Sequence, residues 1–315
     1  MSQVERETPL KVGTRASLLA RTQSELVAAA LRASLDRDVV LVEVTTDGDL
    51  SAAPLASMCG VGVFVNALRE ALMRREVDVA VHSLKDIPTY PQEGVTLAAV
   101  PVREDPRDVV VARDGLTLGG LPAGSRVGTG SPRRAAQLAA LGLGLEVVEV
   151  RGNVDTRLRK VAEGELDAVL LARAGLSRIG RLDAVTEALD PLQMLPAPGQ
   201  GALAVECRSD DEFLVDRVRA AIDDESARAA VTAERTVLGV LEAGCSAPVG
   251  ALAEIAQGDD GDELWLRAVA LSHDGGIVVR KSATGAPDDA VGVGRRLAAE
   301  MLEDGASMLV RERVP

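Results

Sequence analysis

Residues 11–17 read KVGTRAS and residues 126–134 read RVGTGSPRR. Each begins with a basic residue and Val-Gly-Thr and continues into hydroxyl and arginine side chains. A strand that stops at a glycine turn and enters a helix has this pattern. In the first copy Ser17 suits the N-cap of a helix reaching Leu35. In the second, Ser131 suits the N-cap and Pro132 the first helical position. The echo predicts two related α/β lobes.

The flanking sequence extends this reading. Residues 39–45 are β-branched and strand-like, 63–75 read as a helix, 77–82 as a buried strand, and 95–100 as another strand. That order predicts βαβ units and a mostly parallel sheet. Residues 47–62 hold Gly, Pro and Ser without periodicity and read as a loop. After the second copy, 145–150 is a strand, Arg151-Gly152-Asn153 leads into a helix through Val161, and 166–171 is a strand. From about Asp223 the character changes: a helix over 225–241, the loop Gly244-Cys245-Ser246-Ala247-Pro248, strands at 249–255, 264–271 and 276–282, and a helix over 288–303. This predicts a small α+β third domain.

The chain has 315 residues, room for two or three domains. Four aromatics (Phe64, Tyr90, Phe213 and Trp265) leave the cores to Ala, Val and Leu. The net charge of −13 argues against nucleic acid or an anionic membrane as partner. No apolar run is long enough to span a bilayer, and the start MSQVERETPLK has no apolar signal region, so a cytoplasmic protein is expected. Cys59, Cys207 and Cys245 are far apart and odd in number, which predicts free thiols. With only His82 and His273, no histidine-based metal site is expected.

Against this acidic background the arginines stand out. Arg15, Arg133, Arg134, Arg151, Arg157 and Arg178 all fall near predicted strand ends or helix starts. Helix N-termini favour anions, and guanidinium forks match carboxylate or phosphate. The alternative is solvated surface arginine. Lys85 and Asp86 directly follow a buried strand, where an acid could transfer protons or stabilise a cation; the alternative is a surface ion pair. Cys245 lies in a glycine-flanked loop open to an electrophile; the alternative is a small buried hydrophobe. Gly60-Val61-Gly62 and Gly292-Val293-Gly294 lack a third glycine, and Gly128-Thr129-Gly130-Ser131 lacks the lysine of a phosphate loop.

Several segments together resemble the porphobilinogen deaminase (hydroxymethylbilane synthase) family. They are GTRAS at 13–17, VHSLKDIPT at 81–89, EDPRD at 104–108, VGTGSPRR at 127–134, RGNVDTR at 151–157, ARAGLSR at 172–178, PAPGQGALAVECR at 196–208, TAER at 232–235 and EAGCSAP at 242–248. The resemblance implies an α/β fold of two doubly wound lobes like those of type II periplasmic binding proteins, plus a small α+β C-terminal domain. The implied boundaries are residues 1–103 with 200–221, then 104–199, then 222–315. It also implies a transferase of tetrapyrrole (porphyrin, heme) biosynthesis. Four porphobilinogens would condense head to tail on a dipyrromethane cofactor, with loss of ammonia, and be released as 1-hydroxymethylbilane.

By resemblance, Cys245 carries that cofactor through a thioether, and Asp86, helped by Lys85, is catalytic. Lys85, Ser83, Thr129, Ser131, Arg133, Arg134 and Asn153 would bind the cofactor. Arg15, Ser17, Gln23, Arg151, Arg157, Arg178 and Gln200 would bind substrate. A monomer that passes its product to uroporphyrinogen III synthase, with no metal, nucleic acid or membrane partner, is expected. Two departures stand out: the segment at 51–62 matches a lid that carries lysines elsewhere in the family, where this chain has Ser57 and Val61, and Gly130 stands where serine is common. Cys59 has no assigned role. Two rivals remain at this point, a two-lobed anion-binding protein without chemistry and a nucleotide-dependent α/β enzyme.

Overall fold

A computed structural model describes residues 8–44, 63–243, 247–258 and 261–310. Cys245 and the 51–62 segment, with Ser57, Cys59 and Val61, lie outside the described residues. The chain divides into two compact units, Met1–Glu104 with Ala202–Arg228, and Asp105–Gly201 with Ala229–Pro315.

Unit 1 is built on strands β1 (Leu10–Thr14), β2 (Val39–Glu43), β3 (Val79–Ser83), β4 (Val95–Ala99) and β10 (Leu203–Arg208), in the order β2-β1-β3-β10-β4. β1 runs parallel to β2 and β3, while β10 runs against both β3 and β4. Helix α1 (Leu18–Leu35) starts where Ser17 Oγ accepts the Ala20 N–H at 3.3 Å, and ends at Asp36 in left-handed conformation. Its Val27, Leu31 and Leu35 recur at helical spacing and pack with Val79, Val81, Val205 and Cys207 of the sheet. Val215 and Val218 of α6 (Glu212–Ile222) complete that core. Fully burying each such side chain contributes about 1.5–3 kcal/mol.

The other face holds α2 (Val63–Met73), through Leu68, Ala71 and Leu72 and also through charge. Arg69 Nε and Nη2 donate to Glu206 Oε2 and Oε1 at 2.9 and 2.6 Å, with both residues buried. Arg208 Nη1 donates to the carbonyls of Leu72 and Val77 at 3.2 and 2.7 Å, closing the end of the helix. Burial alone would raise the Glu206 carboxyl, but the Arg69 hydrogen bonds hold it down at about 2. A depressed carboxyl adds stability above its unfolded pKa, and that stability is lost as pH falls through the folded value. Unfolding free energy should therefore drop by about 3 kcal/mol from this group between about pH 4.5 and 2. Urea melts of Glu206→Gln should lack that part of the acid slope; an unchanged slope would remove the assignment.

Unit 2 repeats the plan. Strands β5 (Asp108–Ala112), β6 (Arg126–Gly128), β7 (Glu146–Val148), β8 (Ala168–Ala172) and β9 (Glu187–Ala188) take the order β7-β6-β8-β5-β9. β6 is parallel to β7 and β8, and β5 runs against β8 and β9. β1 and β6, which carry the KVGT and RVGT echo, hold the same place in their sheets. The expected mostly parallel sheet is corrected in one respect: each sheet contains one reversed strand. β5 is the first strand after the chain leaves unit 1, and β10 the first after it returns. Helix α3 (Pro132–Ala140) places Leu138 against one face of the second sheet. α4 (Val154–Ala162) and α5 (Arg173–Arg178) cover the other with Leu158, Val161 and Leu176.

The same unit contains an antiparallel sheet of β11 (Val249–Gly258), β12 (Gly261–Leu271) and β13 (Val278–Gly285). Alternate β12 residues Leu264, Leu266, Ala268 and Ala270 meet Val237 of α7 (Glu225–Val240) and Leu297 and Met301 of α8 (Ala290–Glu303). On the opposite face Leu252, Val269 and Leu271 pack on Leu195 and on Ala136 of α3. Gly275, at φ +70°, leaves no room for a side chain: a Cβ would stand 2.5 Å from the Ala136 carbonyl. The fold is thus two doubly wound α/β lobes of the type II periplasmic-binding-protein kind and a small α+β C-terminal part.

Candidate active site

In unit 1 the predicted residues gather beyond the ends of β1 and β3. Arg15 follows β1 and is half-buried, and Ser17 caps α1. Gln23 is buried, and its Nε2 donates to Ser83 Oγ at 3.2 Å, so the first half of α1 is tied to the end of β3. The chain then makes a 3₁₀ turn over Leu84–Asp86. Leu84 N donates to the Ala202 carbonyl at 3.0 Å, and Ile87 N to the Leu84 carbonyl at 3.1 Å. Buried Leu84 roots the turn, Lys85 is half-buried, and Asp86 is exposed. The Asp86 carboxylate makes no hydrogen bond or ion pair with a described residue, so the fold does not consume its charge.

Unit 2 collects cations around one carboxylate. Asp108 opens β5 and is fully buried. Its Oδ2 accepts from Arg133 Nη2 at 2.7 Å. Its Oδ1 accepts from Arg134 Nε and Nη2 at 3.1 and 2.8 Å and from Gln200 Nε2 at 2.7 Å. Burial would raise the Asp108 carboxyl, yet the charges of Arg133 and Arg134 hold it far below the usual carboxylate range. Arg133 Nη1 and Arg134 Nη1 go to the carbonyls of Leu195 and Leu170. Gln200 also serves the Pro106 carbonyl. Arg133, Arg134 and Gln200 therefore spend most of their donors on the protein. One buried donor, Arg133 Nε, has no hydrogen-bond partner among the described residues.

Arg157 lies near this cluster. Burial first, and then the neighbouring Arg134 charge, pull its guanidinium below the ordinary value. A cation disfavoured by another cation gains from any anion placed beside it. Three arginines against one carboxylate leave a positive excess inside a chain whose net charge is −13.

The hydroxyl and amide residues sit at helix starts. Ser131 Oγ accepts from Arg134 N at 3.4 Å, and Thr129 Oγ1 from Ser131 N at 3.1 Å. Asn153 Oδ1 accepts from Thr156 N at 2.9 Å and caps α4. Arg151 pairs with Glu149 at 2.6 Å, Arg157 Nε donates to the Gly152 carbonyl at 2.9 Å, and Arg178 Nη2 donates to the Gly201 carbonyl at 2.6 Å.

Gly130 has a steric cause. A Cβ there would stand 2.7 Å from the Val150 carbonyl oxygen, where the 129–131 and 150–152 loops close on each other. Gly130→Ser should cost about 1–3 kcal/mol as the backbone shifts. Thermal melts should register this as a fall of several degrees, and an unchanged midpoint would show that the loops have slack.

Sequence reasoning missed Asp108, Arg69 and Glu206. Asp108 was visible as the last residue of EDPRD, but its burial was not. Cys207, by contrast, is packed as expected, and burial pushes its thiol up to about 12, which makes it a poor nucleophile.

Fold and site together define a two-lobed α/β protein that presents in one unit a carboxylate bonded to no described residue, and in the other a cluster of three arginines around one buried carboxylate. The chain belongs to the porphobilinogen deaminase family. Residues 10–216 match the family model described as porphobilinogen deaminase, dipyromethane cofactor binding domain, and residues 228–303 match the porphobilinogen deaminase C-terminal domain. The chain is 57% identical over 310 residues to the porphobilinogen deaminase of Nocardia farcinica, covering 97% of this chain and 89% of that protein. It is 58% identical over 306 residues to that of Mycobacterium tuberculosis, covering 96% of this chain and 98% of that protein. A solved periplasmic substrate-binding protein of an ABC transporter from Coxiella burnetii aligns with TM-score 0.44 at 13% identity, over 67% of this chain and 91% of that one. The fold assignment rests on the sheet orders rather than on that likeness. The family makes this chain a transferase with a dipyrromethane cofactor. No helix among the described residues is long and apolar enough to cross a membrane.

Proposed function

We propose that this chain condenses four porphobilinogens head to tail on a dipyrromethane joined to Cys245 as a thioether, and then releases 1-hydroxymethylbilane by hydrolysis. The observation that carries this reading is the positive excess around Asp108. Each pyrrole unit bears two carboxylates, and buried Arg133 and Arg134 with half-buried Arg157 beside them, against one counter-charge, suit such a ligand. The unmatched Arg133 Nε and the capped starts of α3 and α4 add donors of the right kind. When bound, the cofactor supplies the pyrrole end that receives the first unit.

On this reading Lys85, Ser83, Thr129, Ser131, Arg134 and Asn153 hold cofactor carboxylates, with Arg133 as the buried support. Arg15, Ser17, Arg151, Arg157 and Arg178 receive substrate carboxylates. Gln23 acts by holding Ser83, and Gln200 by holding Asp108. Asp86 stabilises the cation left when ammonia departs from porphobilinogen. The domain boundaries fall at 1–103 with 200–221, 104–199, and 222–315. The enzyme works as a cytoplasmic monomer that hands its product to uroporphyrinogen III synthase.

The test is the intact mass of the fully reduced protein, followed by peptide mapping. A reductant-stable addition of two linked pyrroles on the peptide holding Cys245 is expected, absent in Cys245→Ser along with all turnover. An unmodified wild-type chain that neither consumes nor binds porphobilinogen would overturn the reading.

A further inference from the structure

The geometry points to the Arg69–Glu206–His82 cluster as a positioning device for the Ser83–Asp86 turn, a role that rests on reading Asp86 as the catalytic carboxylate. His82 immediately precedes that turn. Its imidazole lies on the α2 face of the sheet, whereas Val79 and Val81 face α1. Nε2 stands 3.4 Å from Glu206 Oε2, outside good hydrogen-bond alignment. His82, Glu206 and Arg69 are 6%, 3% and 6% exposed.

A buried ion pair such as Arg69–Glu206 is a poor way to gain stability, because apolar side chains of similar size do as well or better. What a buried charge pair supplies is registry, since only one arrangement satisfies it. Here the registry is that of β3 against β10. Ala80 pairs with Glu206 and His82 with Ala204, so the Glu206–His82 contact runs diagonally across the two strands at the point where β3 ends. Arg69 fixes the Glu206 carboxylate from the third element, α2.

The turn is also anchored by Gln23 on Ser83 and by Ala202 on Leu84. The first holds the last residue of β3 and the second the residue after it. The cluster sets the strand end itself, and every atom of Lys85 and Asp86 hangs from that point. A displacement of about 1 Å in a reacting group can cost about a hundredfold in rate.

Two variants separate positioning from folding. Arg69→Met with Glu206→Met removes both charges together and leaves apolar side chains that fit the α2 face. His82→Gln removes the imidazole alone. Each holoenzyme, with its cofactor load confirmed by mass, should melt near the parent and keep its porphobilinogen KM within about twofold, yet lose about ten- to a hundredfold in kcat. Arg69→Lys, which keeps the charge but not the two-pronged contact, should fall between the parent and the double variant in kcat. Parent-like kcat in either folded variant, or a raised KM at unchanged kcat, would overturn the proposal. Asp86→Asn assayed alongside distinguishes the two readings. If it is inactive while both variants turn over normally, positioning alone fails; if it turns over normally, the catalytic reading fails.

Discussion

Asp86→Asn should fold, melt and load cofactor like the parent, yet turn porphobilinogen over about a thousandfold more slowly. The structural half of this expectation follows from exposure. Asp86 closes a short 3₁₀ turn, its carboxylate bonds no described residue, and the turn is held by Leu84, Gln23 and Ala202 instead. Exposed substitutions of that kind usually move stability by no more than about 0.5 kcal/mol. The chemical half follows from charge. Loss of ammonia leaves a cation, and a carboxylate about 4 Å away at an effective dielectric of about 20 contributes about 4 kcal/mol. Asparagine keeps the shape and forfeits that attraction, which is about three powers of ten in rate. Single-turnover consumption of porphobilinogen by cofactor-loaded enzyme measures it directly. Turnover within tenfold of the parent would remove Asp86 from the chemistry, and a large fall in melting temperature would mean that the turn depends on the carboxylate after all.

Much of this architecture is written in short-range pattern. The Val-Gly-Thr echo marks two strands that occupy the same position in two sheets, and Ser17, Ser131 and Asn153 are read as helix starts from their own neighbours. The reversed strands are a different matter. Residues 203–208 look strand-like, but nothing local says that they run antiparallel between β3 and β4, more than a hundred residues away. The site shows the same division. Its arginines are legible because guanidinium in an acidic chain is conspicuous. The role of each depends on partners set by tertiary packing: Arg133 and Arg134 on Asp108, Arg178 on the Gly201 carbonyl, and Gln200 on Asp108. A motif reading treats all of these as ligand contacts. Burial separates those that face inward from Asp86, which does not.

Asp108→Asn should be among the most damaging substitutions in unit 2, costing about 3–5 kcal/mol. The carboxylate is fully buried and receives four hydrogen bonds from Arg133, Arg134 and Gln200. An amide of the same shape turns one acceptor oxygen into an N–H donor facing other donors, and it leaves two buried guanidiniums without a counter-charge. Breaking a buried pair from one side costs that much because the surviving charge remains desolvated. A loss of this size corresponds to a melting temperature lower by about 10 °C or more. The cycle with Arg133→Met decides whether charge is the cause. Removing one of the two cations should restore part of the stability lost in Asp108→Asn, so the double variant should melt higher than the single. The acid limb carries the same signature. A carboxyl held far below its unfolded value contributes stability above the ordinary carboxylate range and loses it as pH falls. Asp108→Asn should therefore flatten the acid slope of stability. A variant that melts like the parent, with the slope intact, would mean that the two arginines find their counter-charge elsewhere, and the positive excess around Asp108 would have to be recounted.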